Sequence, residues 1–83
     1  MDKETKANKF KEAGNKAFSE NNFEEAITQY TLAIEISADN PNQHVYYANR
    51  ANAYLHSGRL DECIEDCEEA IYIEPMFIKA YYR

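Results

Sequence analysis

The chain has 83 residues, room for one small domain in a size range where folding buries only about 60% of the surface that the unfolded chain exposes. It is 45% hydrophobic and 29% charged with two glycines and two prolines, which excludes a disordered tail and favours a helix-rich fold. Its net charge of -6, from 15 acidic against 9 basic residues, excludes a surface devoted to nucleic-acid phosphates or anionic lipid, and at first sight disfavours an acidic ligand as well.

The N-terminal residues Met1 to Lys6 are charged where a signal peptide needs an apolar stretch, and no run approaches the ~18 apolar residues of a membrane span. No Asn-x-Ser/Thr sequon occurs, so the expectation is a cytoplasmic protein, with a nuclear location also open. Apolar residues spaced i, i+3, i+4, i+7 predict helices near 4–20, 23–36, 42–57 and 60–73. A further helix is expected to begin about Pro75, since proline suits a first helical turn. Asn22, with Glu25 three residues on, is placed to cap the second helix, and Gly58 to end the third.

The helices come from an internal repeat. Adding 37 to Phe23, Ala26, Ile27, Tyr30, Ala33, Ile34 and Ile36 gives Leu60, Cys63, Ile64, Cys67, Ala70, Ile71 and Ile73, apolar matched to apolar at each step. The same shift takes Phe10 to Tyr47, Gly14 to Ala51 and Asn15 to Asn52, and a shift of 34 takes Tyr47 to Tyr81. The extra residues of the first interval are assigned to the turn-like Asn40-Pro41-Asn42.

A helix pair repeated at this period resembles the tetratricopeptide repeat family. The resemblance rests on Gly14, Ala26, Tyr30 and Ala33 in the first unit and on Tyr47, Ala51, Tyr54, Cys63, Cys67, Ala70 and Pro75 in the second. Ala17 and Ala38 depart from the family pattern, which favours an aromatic residue and a proline there. The implied fold is all-α, a solenoid of antiparallel helix pairs, each with a first helix A and a second helix B: repeat one about 7–40, repeat two about 44–77, and the start of a third A helix over 78–83. The absence of a polar capping helix suggests a single domain over 1–83 cut from a longer protein, or one that self-associates through the incomplete third repeat.

Charge is divided between helices. Residues 23–36 and 60–74 hold ten acids and no Lys or Arg, whereas the A helices and their flanks hold all nine bases. The resemblance implies that A helices line a concave groove and B helices its back, so the bases are expected to converge on the groove and the acids to form a solvated rear face.

Tetratricopeptide co-chaperones of the two-carboxylate-clamp type carry Lys and Asn four apart on the first A helix, Asn on the second, and Lys and Arg four apart on the third. The matching residues here are Lys11, Asn15, Asn49, Lys79 and Arg83. Residues four apart share a helix face, and Lys, Arg and Asn together supply charge, a planar fork of donors and orienting amide N–H groups. By the resemblance, Lys11, Asn15 and Asn49 hold a terminal carboxylate, Lys79 anchors the same end, and Arg83 reaches an upstream carboxylate or carbonyl. The implied partners are the C-terminal tails, ending Glu-Glu-Val-Asp, of heat-shock chaperones of the 70 and 90 kDa classes. Phe18, Asn52 and His56 are candidates for a pocket around the Val side chain, although Phe18 equally suits the core and His56 an exposed helix surface.

Other chemistry finds little support. Cys63 and Cys67 occupy core positions of the repeat and lack the further ligands a zinc site wants. His44 and His56 stand without an adjacent carboxylate cluster, and no glycine-rich phosphate loop occurs. Neither a cofactor nor a metal nor a catalytic role is expected. The competing readings are a structural or self-associating scaffold and the recruiting domain of a larger enzyme.

Overall fold

Asp2 accepts the backbone N–H of Thr5 at 2.7 Å and so starts the first helix. The computed structural model describes residues 2–76, and these form four helices: α1 (Lys3–Ser19), α2 (Phe23–Glu35), α3 (Gln43–His56) and α4 (Leu60–Ile73). Each boundary falls within one residue of the sequence expectation. The helix expected from about Pro75 falls almost wholly outside the described residues.

Helices α1 and α2 form one antiparallel pair and α3 and α4 the second, with α2 packed against both α1 and α3. The two pairs turn by the same device. In the first, Asn21 is left-handed (φ 62°), and Asn22 N–H reaches back to the Ala17 carbonyl at 2.8 Å. In the second, 37 residues on, Gly58 is left-handed (φ 81°) and Arg59 N–H reaches the Tyr54 carbonyl at 2.9 Å. Both are helix-ending motifs that satisfy the last carbonyls. The Asn22 side chain then accepts from Glu25 N–H, capping α2 as its position in sequence suggested. Between the pairs, Gln43 Nε2 donates to the Ile34 carbonyl at 3.1 Å and Asn40 Oδ1 accepts from Asn42 N–H at 2.8 Å, so the connecting turn closes the end of α2.

Small residues set the helix spacing. Ala7, Ala17, Ala26, Ala33, Ala48, Ala51, Ala53 and Ala70 are all buried. Burial of a side chain this small contributes little area by itself, but it lets the neighbouring helix approach closely enough for larger groups to interlock. Gly14 is the extreme case. A Cβ at that position would lie 2.5 and 2.6 Å from Tyr30 ring carbons, so the α1–α2 contact requires its absence. Cys63 is buried and Cys67 half-buried, in agreement with core positions.

Candidate functional site: the α1–α3 face

Helices α1 and α3 run side by side in the same direction. Near their N-terminal ends, Ala7 of α1 and Tyr46 of α3 share one buried cluster with Ala33 of α2. Near their C-terminal ends, the Phe18 and His56 rings meet edge to face at 5.0 Å, and Phe23 completes an aromatic trio at 5.2 and 5.4 Å. Between these two points lie two rows of side chains. Lys11, Asn15 and Phe18 form the row on α1, and Asn49, Asn52 and His56 the row on α3.

Within this face, Lys11 and Asn49 are half-buried and Asn15 is exposed. Lys11 takes no part in the three ion pairs among the described residues, all of which use Arg50 or Arg59. Asn15 is held from below: the Tyr30 hydroxyl of α2 donates to its Oδ1 at 2.5 Å. Burial pushes the Tyr30 pKa up to about 12, so the hydroxyl keeps its proton across the working range. His56 Nδ1–H donates to the Asn52 carbonyl at 2.9 Å, which orients the ring against Phe18. Phe18 is half-buried and packs on the cluster of Ala17, Ala26, Ile27, Tyr30 and Ala53, so it serves the core as well as lying on this face. Lys79 and Arg83 lie outside the described residues.

The division of charge differs from the sequence expectation in two places. Arg50 does not join the basic face. Its Nε and Nη2 donate to the two oxygens of Asp66 at 2.7 and 2.8 Å, and Nη1 donates to Thr31 at 3.1 Å. Asp66, counted among the acids of a solvated rear face, is only 5% exposed. Tyr47 and Tyr54 flank the guanidinium, each ring centroid 5.6 Å away. Burial works against the charged guanidinium, but the hydrogen bonds and charge of Asp66 outweigh it and raise the Arg50 pKa. Arg59 likewise turns to the acids, pairing with Glu24 at 3.2 Å and with Glu62. The bases present on α1 are therefore the lysines, while Arg50 and Arg59 tie helices together. The signal for the first pair was available: Asp66 stands three after Cys63 and four before Ala70, on the core face of α4.

Comparison with known proteins gives the same repeat. Residues 10–40 and residues 44–77 each match a family model described as Tetratricopeptide repeat. The chain is 45% identical over 78 residues to the small glutamine-rich tetratricopeptide repeat-containing protein 2 of Mycosarcoma maydis, a match covering 94% of this chain and 21% of that protein. It is 44% identical over 63 residues to the Hsp70-Hsp90 organizing protein of Triticum aestivum, covering 76% of this chain and 10% of that one. A third relative, the TPR repeat-containing thioredoxin TTL4 of Arabidopsis thaliana, is 40% identical over 73 residues, covering 88% and 10%. The chain thus spans only a tenth to a fifth of the length of these relatives.

Proposed function

We propose that this chain, which belongs to the tetratricopeptide repeat family, is an adaptor that captures the acidic C-terminal tails of cytosolic heat-shock chaperones. The observation that carries this reading is the pair of adjacent rows on α1 and α3, with Lys11 and Asn15 on one and Asn49 on the other. A lysine ammonium beside two amide groups suits a carboxylate, because the charge attracts and the amide donors orient. Lys79 and Arg83 complete the clamp in this proposal, and the Phe18, Asn52 and His56 end of the face takes the side chain that precedes the terminal residue. Relatives named for Hsp70 and Hsp90 support chaperones of these classes as the source of the tail. The described residues contain no helix long and apolar enough to cross a membrane, and the proposed workplace is the cytoplasm.

The net charge of -6 does not oppose this reading. Screening confines each charge to about 8–10 Å at physiological ionic strength, so the lysines near the ligand outweigh acids on the far side of α4. Calorimetry with an octapeptide ending Glu-Glu-Val-Asp tests the proposal, with an expected Kd in the micromolar range, about -8 kcal/mol. Lys11→Ala is expected to weaken binding by about 1–3 kcal/mol. Equal binding of a C-terminally amidated peptide by the unsubstituted chain would refute the clamp.

A further inference from the structure

We propose that Tyr30 is a positioning residue for carboxylate capture: its hydroxyl fixes the Asn15 amide so that the nitrogen faces the ligand. The inference rests on the clamp reading and names the group that makes the site prefer a carboxylate to a carboxamide.

An asparagine amide offers a donor at one end and an acceptor at the other. On an exposed helix surface the amide turns over at little cost, and the turned form sets a carbonyl oxygen against an incoming carboxylate. Here Oδ1 is occupied by the Tyr30 hydroxyl. The reverse arrangement, with the hydroxyl accepting from Nδ2, would leave the hydroxyl's own proton needing another acceptor. Among the described residues the hydroxyl makes the Asn15 hydrogen bond alone, and Tyr30 is only 2% exposed, so that proton would be stranded. Nor is the hydroxyl free to move away. Its ring rests against the Cα of Gly14, the residue before Asn15, at a distance that leaves no space for a Cβ. Gly14 admits the ring, the ring carries the hydroxyl, and the hydroxyl turns the amide.

The second repeat lacks this arrangement. It has Asn52 where the first has Asn15, but Cys67 where the first has Tyr30, and a thiol ends well short of a phenolic hydroxyl. The device belongs to the first repeat, which is also the one that supplies Lys11.

The test compares the chain with Tyr30→Phe, which keeps the ring over Gly14 and removes only the hydroxyl. Each is titrated with the octapeptide ending Glu-Glu-Val-Asp as free acid and as C-terminal carboxamide. The substitution is expected to weaken binding of the acid about three- to tenfold and leave the carboxamide unaffected, narrowing the preference between them. In an Asn15→Ala background it is expected to have no further effect. A folded Tyr30→Phe chain with the original acid-to-amide preference overturns the proposal. Equal losses for both peptides, or a loss that persists without Asn15, also overturn it, since either would report loosened packing. Equal binding of acid and amide before any substitution would instead refute the clamp reading, and this role with it. Should Tyr30→Phe not fold, NMR of the unsubstituted chain decides. A Tyr30 hydroxyl proton protected from exchange and close to the Asn15 side chain supports the role, and one exchanging as freely as in solvent overturns it.

Discussion

Arg50 and Asp66 form a two-point ion pair across the second helix pair, Nε to one carboxylate oxygen at 2.7 Å and Nη2 to the other at 2.8 Å. Because Arg50 also reaches Thr31 on α2, one guanidinium links the second repeat to the first, and it does so one residue after Asn49. Removing one partner leaves the other charge buried without compensation, a penalty of about 3–5 kcal/mol. Arg50→Met is therefore expected to lose a large part of the total stability, read as a lower urea midpoint. Arg50→Met combined with Asp66→Leu is expected to recover most of it, since two apolar groups of similar size leave no stranded charge. A double variant as unstable as the single one would show that the site is held by geometry that apolar groups cannot reproduce.

Gly14→Ala sets two effects against each other. Alanine is the better helix former by about 1 kcal/mol in a helix interior. Against this, its Cβ would meet the buried Tyr30 ring at 2.5 Å, and overpacking of this kind costs about 1–3 kcal/mol. The ring sits in a cluster with Ala17, Ala26, Ile27 and Ala53, so its room to yield is small, and net destabilisation is expected. Thermal denaturation checks the sign. A rise in Tm would mean that the α1–α2 spacing adjusts more readily than the packing suggests.

Much of this fold was legible in the sequence because helix periodicity and chain-reversing residues are local signals. The spacing from Phe23 to Ile36 defines α2, Asn22 marks its start, and Gly58 marks the end of α3. The shift of 37 residues then pairs the helices without any knowledge of contacts. What escaped were interactions between side chains on different helices. Arg50 and Asp66 correspond to Ala13 and Gln29 in the first unit, so the repeat gave no hint of a pair. Counting charges by helix assigned Arg50 to one face and Asp66 to another, when their nearest partners are each other. The Tyr30–Asn15 hydrogen bond is hidden for a related reason: the repeat matches Tyr30 to Cys67 as an apolar position and says nothing of a hydroxyl. At the candidate site, Lys11, Asn15 and Asn49 were recognisable as residue types at a spacing. That α1 and α3 lie side by side is a tertiary fact, carried by Ala7, Tyr46, Phe18 and His56.

The two left-handed positions give a matched pair of backbone tests. A Cβ at Gly58 would meet nothing within 4 Å, so the cost of Gly58→Ala comes from its φ of 81° alone, about 1–2 kcal/mol. Asn21 holds the equivalent place at φ 62°, where asparagine is tolerated and glycine preferred. Asn21→Gly is expected to be neutral or stabilising by about 0.5 kcal/mol. Opposite signs at the two positions in denaturant titrations would support equivalent turns. Loss of stability in Asn21→Gly would indicate that the Asn21 side chain contributes beyond its backbone.

Tyr30 predicts how stability changes in alkali. Burial raises its pKa from 10.0 to about 12 in the folded chain, whereas in the unfolded chain the hydroxyl titrates at its ordinary value. The unfolded state therefore loses its proton first. The contribution is fully present below pH 10 and is lost as pH rises through 12, in total about 3 kcal/mol. Burial also raises the pKa values of Tyr46 and Tyr47, which add to the loss in the same direction. Unfolding free energies measured by urea at pH 9 and pH 11 are expected to fall, and Tyr30→Phe to fall less steeply because one of the buried phenols is gone. Equal slopes in the two chains would mean that Tyr30 ionises in the folded state without penalty. Its hydroxyl would then not be the buried, proton-holding donor that the Asn15 contact requires.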